Sequence, residues 1–139
     1  MTVQRLLCVD DEPFILKSLQ RLFRNDGYEL FLAASGAEAL EILERVTPIQ
    51  VVLSDFQMSA MNGLDLIRRV KTTRPQVVGI ILTGYADLRQ LGSALDEGSI
   101  FDLVHKPWDR AELRRSVARA MRQYEIAAAA CTAVAEAGR

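Results

Sequence analysis

The sequence predicts an α/β fold in which a parallel sheet is covered by helices on both faces. Three observations carry that prediction. Short apolar runs alternate with segments of helical periodicity five times along the chain, the pattern of repeated strand and crossover-helix units. The middle run, Ile49 to Leu53, is apolar and β-branched apart from Gln50, as a strand buried on both faces requires. Finally, polar residues stand directly after four of the runs: Asp10-Asp11 after Arg5 to Val9, Asp55 after Val51 to Ser54, Thr83 after Ile80 to Leu82, and Lys106 after Leu103 to His105. In a parallel sheet these side chains emerge at one edge, and open α/β sheets bind ligands beyond the carboxyl ends of their strands.

Each element has its own signals. After the first strand, Pro13 opens a helix at a position where a missing N–H costs nothing, and Ile15, Leu16, Leu19, Leu22 and Phe23 form its buried stripe before Gly27 stops it. A strand over Tyr28 to Ala33 leads to Ser35-Gly36-Ala37-Glu38, the spacing of a capping box, and a helix running to about Val46 until Thr47-Pro48 breaks it. The run Ile49 to Leu53 is the candidate for the centre of the sheet. A loop from Phe56 to Asn62 precedes a helix carrying Leu64, Leu66, Ile67 and Val70, closed before Pro75. Val77 to Leu82 is the fourth strand, with Gly79 a local weak point. Asp87 is placed to cap a fourth helix ending near Gly98, Phe101 to His105 is the fifth strand, and Asp109-Arg110-Ala111-Glu112 repeats the capping logic before the last helix.

That last helix has apolar residues at Leu113, Val117, Ala120, Tyr124, Ala127, Cys131 and Val134, steps of four and three that make a heptad seam. Its first half has to pack on the sheet of its own domain, and its small residues equally suit an Ala-rich linker. The expected organisation is one domain over residues 1–124 and a helical extension or linker over residues 125–139.

Bulk properties narrow the function classes. The 139 residues are enough for one ordinary core. With 17 basic against 18 acidic side chains, nothing pulls the chain as a whole toward nucleic acid or anionic lipid. Cys8 and Cys131 have neither the spacing nor the neighbours of a disulfide framework or zinc site, so a cytoplasmic location is expected. No signal peptide or membrane span is recognisable in the sequence.

The chemistry lies at the acidic edge. Two unit charges about 4 Å apart repel by roughly 4 kcal/mol at an effective dielectric of 20, so three clustered carboxylates call for a cation. Oxygen-only ligands with no thiolate nearby suit a hard cation, and Mg²⁺ is the one that shares its shell with phosphate. Asp11 and Asp55 are the expected direct ligands, with Asp10 acting through water. Asp55, at the end of the central strand, is placed to be a nucleophile of aspartyl-phosphate chemistry, with Lys106 and Thr83 completing the electrostatic clamp on the phosphoryl oxygens. Taken singly, Asp and Thr at strand ends are more often turn formers and caps. Four strand ends with a mutually consistent set point instead to one site.

The segments Cys8-Val9-Asp10-Asp11-Glu12, Leu53 to Met58 with Met61-Asn62-Gly63, Leu82-Thr83-Gly84-Tyr85 and His105-Lys106-Pro107 resemble the receiver domain of two-component response regulators over about Val3 to Tyr124. The resemblance implies a doubly wound, flavodoxin-like sheet of five parallel strands in the order 2-1-3-4-5. It implies a phosphorylation-dependent signalling switch rather than an enzyme: Asp55 is the phosphoacceptor for a partner histidine kinase or phosphotransfer protein. Asp10 and Asp11 are then the acidic pair for Mg²⁺, Gln57 lends a backbone carbonyl to the metal, Thr83 is the switch hydroxyl and Lys106 the phosphate-binding amine. Pro107 corresponds to a position whose preceding peptide bond is usually cis. The implied relay runs through the face of the fourth helix, fifth strand and fifth helix. A homodimer through that face or the terminal helix, and an effector domain absent from this chain, complete the expected partners, with no direct nucleic-acid contact and no membrane.

Two residues depart from the family pattern. Ser59 replaces the usual proline after the phosphoacceptor, and Leu103 stands where an aromatic switch residue is usual, with Phe101 expected on the same face by strand alternation. Tyr85 and Trp108 are expected to flank the output surface, and His105 to pack rather than accept phosphate.

Three other functions compete. An Mg²⁺-dependent aspartyl phosphohydrolase carries a second acid two residues after the nucleophile, where this chain has Gln57. A flavin-binding module of similar topology would find its phosphate repelled by Asp10-Asp11-Glu12. A receiver-like dimerisation module without phosphorylation has no need of the intact acid set.

Overall fold

The computed structural model describes residues 3–84 and 87–137, with side chains described as far as residue 131. Strands and helices alternate throughout: β1 (Arg5–Val9), α1 (Pro13–Phe23), β2 (Glu29–Ala33), α2 (Gly36–Arg45), β3 (Val51–Asp55), α3 (Gly63–Thr73), β4 (Val78–Thr83), α4 (Leu88–Asp96), β5 (Asp102–His105) and α5 (Arg110–Ala137). All strand pairs are parallel and the sheet order is β2-β1-β3-β4-β5, the doubly wound order that the resemblance implied. β3 lies at the centre with every residue buried.

Strand alternation divides the apolar residues into two cores. Leu7, Val9, Val52 and Ile81 meet α2, α3 and α4 through residues such as Leu43, Ile67 and Leu91. On the opposite face Leu6, Cys8, Leu53, Ile80 and Leu82 meet α1 and α5 through Leu19, Phe23, Leu113 and Val117. Because both faces are covered, the central strands read as unbroken apolar runs rather than as alternating ones. Burial also pushes the Cys8 thiol well above its ordinary pKa, keeping it an inert core residue.

Local chemistry sets the element ends, with some departures from the sequence-based expectation. The strand expected over Ile49 to Leu53 is paired from Val51 to Asp55, yet Ile49 and Gln50 are buried too. Gln50 is the polar interruption because its side-chain amide accepts from the Arg5 N–H at 2.7 Å and donates to the Val3 carbonyl at 2.9 Å, binding the chain at the start of β1. Ser35 caps α2 by accepting from the Glu38 N–H at 3.1 Å, while Glu38 reaches back to the Ala34 N–H at 3.1 Å. Asn62 and Asp109 cap α3 and α5 in the same way, accepting at 2.8 Å from Asp65 and at 2.9 Å from Glu112.

Asp87, expected to cap α4, makes no capping hydrogen bond. Phe101 also departs from expectation. It precedes β5 and packs on the α1/α5 core beneath the Arg119 guanidinium, which lies 5.9 Å from its ring centre. Leu103 packs on the opposite core. The terminal helix is continuous over 28 residues. Leu113, Val117 and Ala120 bury the first half of its seam in this domain, Tyr124 packs partly against the same core, Ala127 is half-buried and Cys131 is exposed. The expected seam position Val134 lies outside the described side chains, and Tyr85 outside the described residues.

Gly79 has a specific cause. A Cβ there would stand 2.6–2.9 Å from three side-chain carbons of Ile67, so the missing side chain is what lets α3 lie close on β4. Gly79→Ala is expected to cost about 1–3 kcal/mol by overpacking. In a urea-denaturation double-mutant cycle with Ile67→Ala, the combined loss should fall clearly short of the sum of the single losses; strict additivity would refute the contact.

Candidate functional site

Strand register brings the chemistry-bearing residues level. Val9 lies opposite Ser54, Asp55 opposite Leu82, and Thr83 opposite His105, so Asp10, Asp55, Thr83 and Lys106 reach the same sheet edge within a residue of one another. Backbone bonds continue past the strand ends: the Asp10 N–H donates to the Ala33 carbonyl at 3.1 Å, Phe56 to Leu82 at 3.0 Å, and Lys106 to Thr83 at 2.8 Å. The ladder that holds the sheet therefore also fixes the site backbone. The peptide bond between Lys106 and Pro107 is cis, as the resemblance implied.

At this edge one carboxylate oxygen from each of Asp10, Asp11 and Asp55 lies within 4.8 Å of the other two. The Lys106 Nζ sits 3.1 Å from Asp10 Oδ2 and 3.0 Å from Asp55 Oδ1. Asp10 is fully buried and its Oδ1 accepts from the Glu12 N–H at 2.9 Å, whereas Asp11 is exposed. An open cavity of about 440 Å³ is lined by Asp11, Asp55, Thr83 and Lys106, joined by Gln57 and Asp87. The Thr83 hydroxyl donates to the Gly84 carbonyl at 3.1 Å. Across the cavity mouth the Gln57 side-chain amide donates to Asp87 Oδ2 at 3.0 Å, a bond from the β3–α3 loop to the start of α4. Asp87 leaves α4 uncapped because its backbone, at φ −105° and ψ 8°, lacks the extended conformation of a capping residue.

One ammonium does not neutralise three carboxylates. Burial pushes the Asp55 pKa above the ordinary carboxylate value; the Lys106 hydrogen bond and charge pull it down, but the charges of Asp10 and Asp11 raise it further. For Lys106, burial opposes the charged form, but its bonds to Asp55 and Asp10 outweigh burial and raise its pKa. An all-oxygen donor set with excess negative charge fits a hard divalent cation.

The loop after Asp55 is held by close approach. A Cβ on Gly63 would collide with the Asp55 carbonyl oxygen, and the Gly63 N–H donates to the Phe56 carbonyl at 2.8 Å. Only glycine lets α3 begin this near the end of β3. Ala60, beside Ser59, has φ 68°, a left-handed conformation that non-glycine residues seldom adopt. Asp87 and Gly63 are the site-forming residues to which sequence reasoning gave no such role. The Asn62-Gly63 pair at a helix start carried a signal for Gly63; nothing local signalled the bridge to Asp87.

Raised above its unfolded value, the folded pKa of Asp55 contributes stability that is present in acid and lost as pH rises through the folded value. Asp55→Asn should therefore raise the melting temperature of metal-free protein at neutral pH by about 3 °C, the shift that roughly 1 kcal/mol produces in a domain of this size. The difference should shrink as pH falls through the folded value, where the wild-type carboxyl takes up its proton. Calorimetry across that range checks the sign, and a destabilised Asp55→Asn at neutral pH would contradict the electrostatics.

Comparison with known proteins agrees with this geometry. A family model described as the response regulator receiver domain matches residues 6–118. The DNA-binding transcriptional regulator NtrC of Escherichia coli is 38% identical over 117 residues, 84% of this chain and 24% of that protein. The sporulation initiation phosphotransferase F of Bacillus subtilis is 32% identical over 117 residues, 84% of this chain and 93% of that protein. A solved structure of adenylate cyclase from Rhodopirellula baltica superposes with a TM-score of 0.91 at 28% identity, covering 96% of this chain and 98% of that one. The chain thus spans about a quarter of the length of several curated relatives that it matches. With the matched segment containing every residue of the acidic edge, the chain belongs to the family of response regulator receiver domains.

Proposed function

We propose that this chain is a phosphorylation-dependent switch in which Asp55 accepts a phosphoryl group from a partner histidine kinase or phosphotransfer protein. The observation that supports it most is the Lys106 ammonium held 3.0 Å from Asp55 beside two further carboxylates, in a cavity shared with Thr83. Asp10, Asp11, Asp55 and the backbone carbonyl of Gln57 are the residues assigned to hold Mg²⁺. When bound, Mg²⁺ neutralises charge on the phosphoryl oxygens and lets the carboxylates coexist.

The chain's own residues account for the remaining chemistry. An Asp55 carboxylate oxygen forms the bond to phosphorus as the bond from phosphorus to the donor's imidazole nitrogen breaks, and the electron pair leaves with that nitrogen. The Lys106 ammonium, already beside Asp55, stabilises the charge spread over the phosphoryl oxygens. Asp10, buried and bonded to the Glu12 N–H, keeps Lys106 aimed.

The Thr83 hydroxyl exchanges its Gly84 carbonyl partner for a phosphoryl oxygen. That exchange draws on the β4–α4 connection, and the Gln57–Asp87 bond ties the same connection to the β3–α3 loop. The switch biases a two-state equilibrium of the face formed by α4, β5 and α5. Leu103, half-buried on the α4 side, repacks in place of an aromatic rotamer. The change passes to a second protomer through this face or through α5, or to an effector domain of a longer protein. Among the described residues no helix is long and apolar enough to cross a membrane.

Incubation with Mg²⁺ and a small acyl phosphate should add one phosphoryl group by intact-protein mass spectrometry, and Asp55→Asn should add none. No gain with any donor would favour a receiver-like dimerisation module and defeat the proposal. Thr83→Ala should still be phosphorylated on Asp55, yet its sedimentation should stay that of the unmodified chain where the phosphorylated wild type shifts toward dimer. Identical sedimentation of phosphorylated and unmodified wild type would remove the dimer route.

A further inference from the structure

The loop that carries the chain from Asp55 to α3 is tied by hydrogen bonding at one point. Among the described residues, the bond from the Gln57 side-chain amide to Asp87 Oδ2, 3.0 Å long, is the only hydrogen bond from residues 57–61 to anything outside that stretch. Met58 and Met61 lean on the core, but Gln57, Ser59 and Ala60 are exposed and no proline stiffens the turn. Ala60 holds its left-handed φ of 68° within it. A loop of this kind keeps one geometry only where its surroundings pin it.

Asp87 makes the tie from the start of α4. Among the described residues its carboxylate pairs with no cation, and it does not cap its own helix. It lines the cavity of the acidic edge, yet it stands outside the cluster formed by Asp10, Asp11 and Asp55. Its bond goes instead to Gln57, the residue whose backbone carbonyl is assigned to Mg²⁺.

We infer that Asp87 is a positioning residue of the cation site: acting through the Gln57 amide, it holds the loop so that the Gln57 carbonyl is in place before the cation arrives. The inference rests on the cation site proposed above. Its physical basis is preorganisation, because fixing a free loop costs conformational entropy and a loop already tied presents its carbonyl without that cost. Residues that orient metal ligands change affinity by roughly 10–100-fold when replaced, although they never touch the ion. A contribution of negative charge alone would act without Gln57, and the two cases part experimentally.

Calorimetric titration of the full chain with Mg²⁺ at constant ionic strength tests the assignment. Wild type should take up one ion per chain. Asp87→Ala and Gln57→Leu should each bind roughly tenfold more weakly, and the double variant no more weakly than either, because both remove the same bond. Asp87→Asn, whose amide oxygen still accepts from Gln57, should stay within about twofold of wild type. In metal-free protein, hydrogen exchange over residues 57–61 should be faster in Asp87→Ala and Gln57→Leu than in wild type or Asp87→Asn. Equal Mg²⁺ affinity of wild type and Asp87→Ala would overturn the inference and leave the cation site standing. So would equal weakening by Asp87→Asn and Asp87→Ala with Gln57→Leu unaffected, the signature of charge alone, or loop exchange that none of the variants changes. Failure of wild type to bind Mg²⁺, or binding undiminished by Asp11→Asn, would instead remove the cation site and this inference with it.

Discussion

The constraint on which the rest of this molecule depends is the enforced proximity of three carboxylates to a single ammonium. Asp10, Asp11 and Asp55 hold oxygens within 4.8 Å of one another, and Lys106 reaches only two of them. An arrangement with unbalanced charge is not what a fold selected for stability alone would keep. It is held because strand register and interstrand hydrogen bonds leave the backbone beneath it no freedom to spread. The imbalance supplies the driving force for taking up cations, and it leaves Asp55, which lines the open cavity together with Asp11, a poorly satisfied group.

Maintaining that proximity requires the surroundings to pack tightly, and two glycines show how. Gly79 lets Ile67 press onto β4, and Gly63 lets α3 start almost on the Asp55 carbonyl. Both permit helices to approach the sheet more closely than a side chain would allow, and both stand behind the acidic edge rather than in it. The strained φ of Ala60 lies in the same loop as the approach to Gly63. The site is thus crowded from beneath by close packing and bounded above by the hydrogen bonds of Thr83 with Gly84 and of Gln57 with Asp87.

Much of this is legible in the sequence, for identifiable reasons. Strands are visible as apolar runs because both faces of the sheet are covered, and the site is visible because a parallel sheet aligns the residues just past each strand. Ser35, Asn62 and Asp109 each sit where a cap or boundary is expected, since capping is decided within four residues. The features that escape sequence reasoning are decided by partners distant in the chain. Asp87 has the right position for a cap, but its backbone is not extended there and its carboxylate bonds Gln57, thirty residues earlier. Phe101 packs on the face opposite Leu103 although its N–H already bonds the Gly79 carbonyl of β4, and Gln50 is polar in a buried run because it serves the backbone of Val3 and Arg5. Gly79 reads as a weakness in the sequence alone, and only the Ile67 side chain lying over it supplies its reason.

The length of α5 has a mechanical consequence. Its 28 residues span about 42 Å at 1.5 Å per residue. The helix begins four residues after Lys106 and is anchored to the sheet by Leu113, Val117, Ala120 and Met121. Beyond Tyr124 about 20 Å of the same unbroken rod continues past that anchorage. A tilt of about 10° at the sheet would swing its far end by roughly 3–4 Å, and a twist about its axis would arrive there undiminished, because a continuous helix has no joint in which to lose it. The domain therefore ends in a long lever seated on its own hydrophobic core, with its first turn next to the charged pocket.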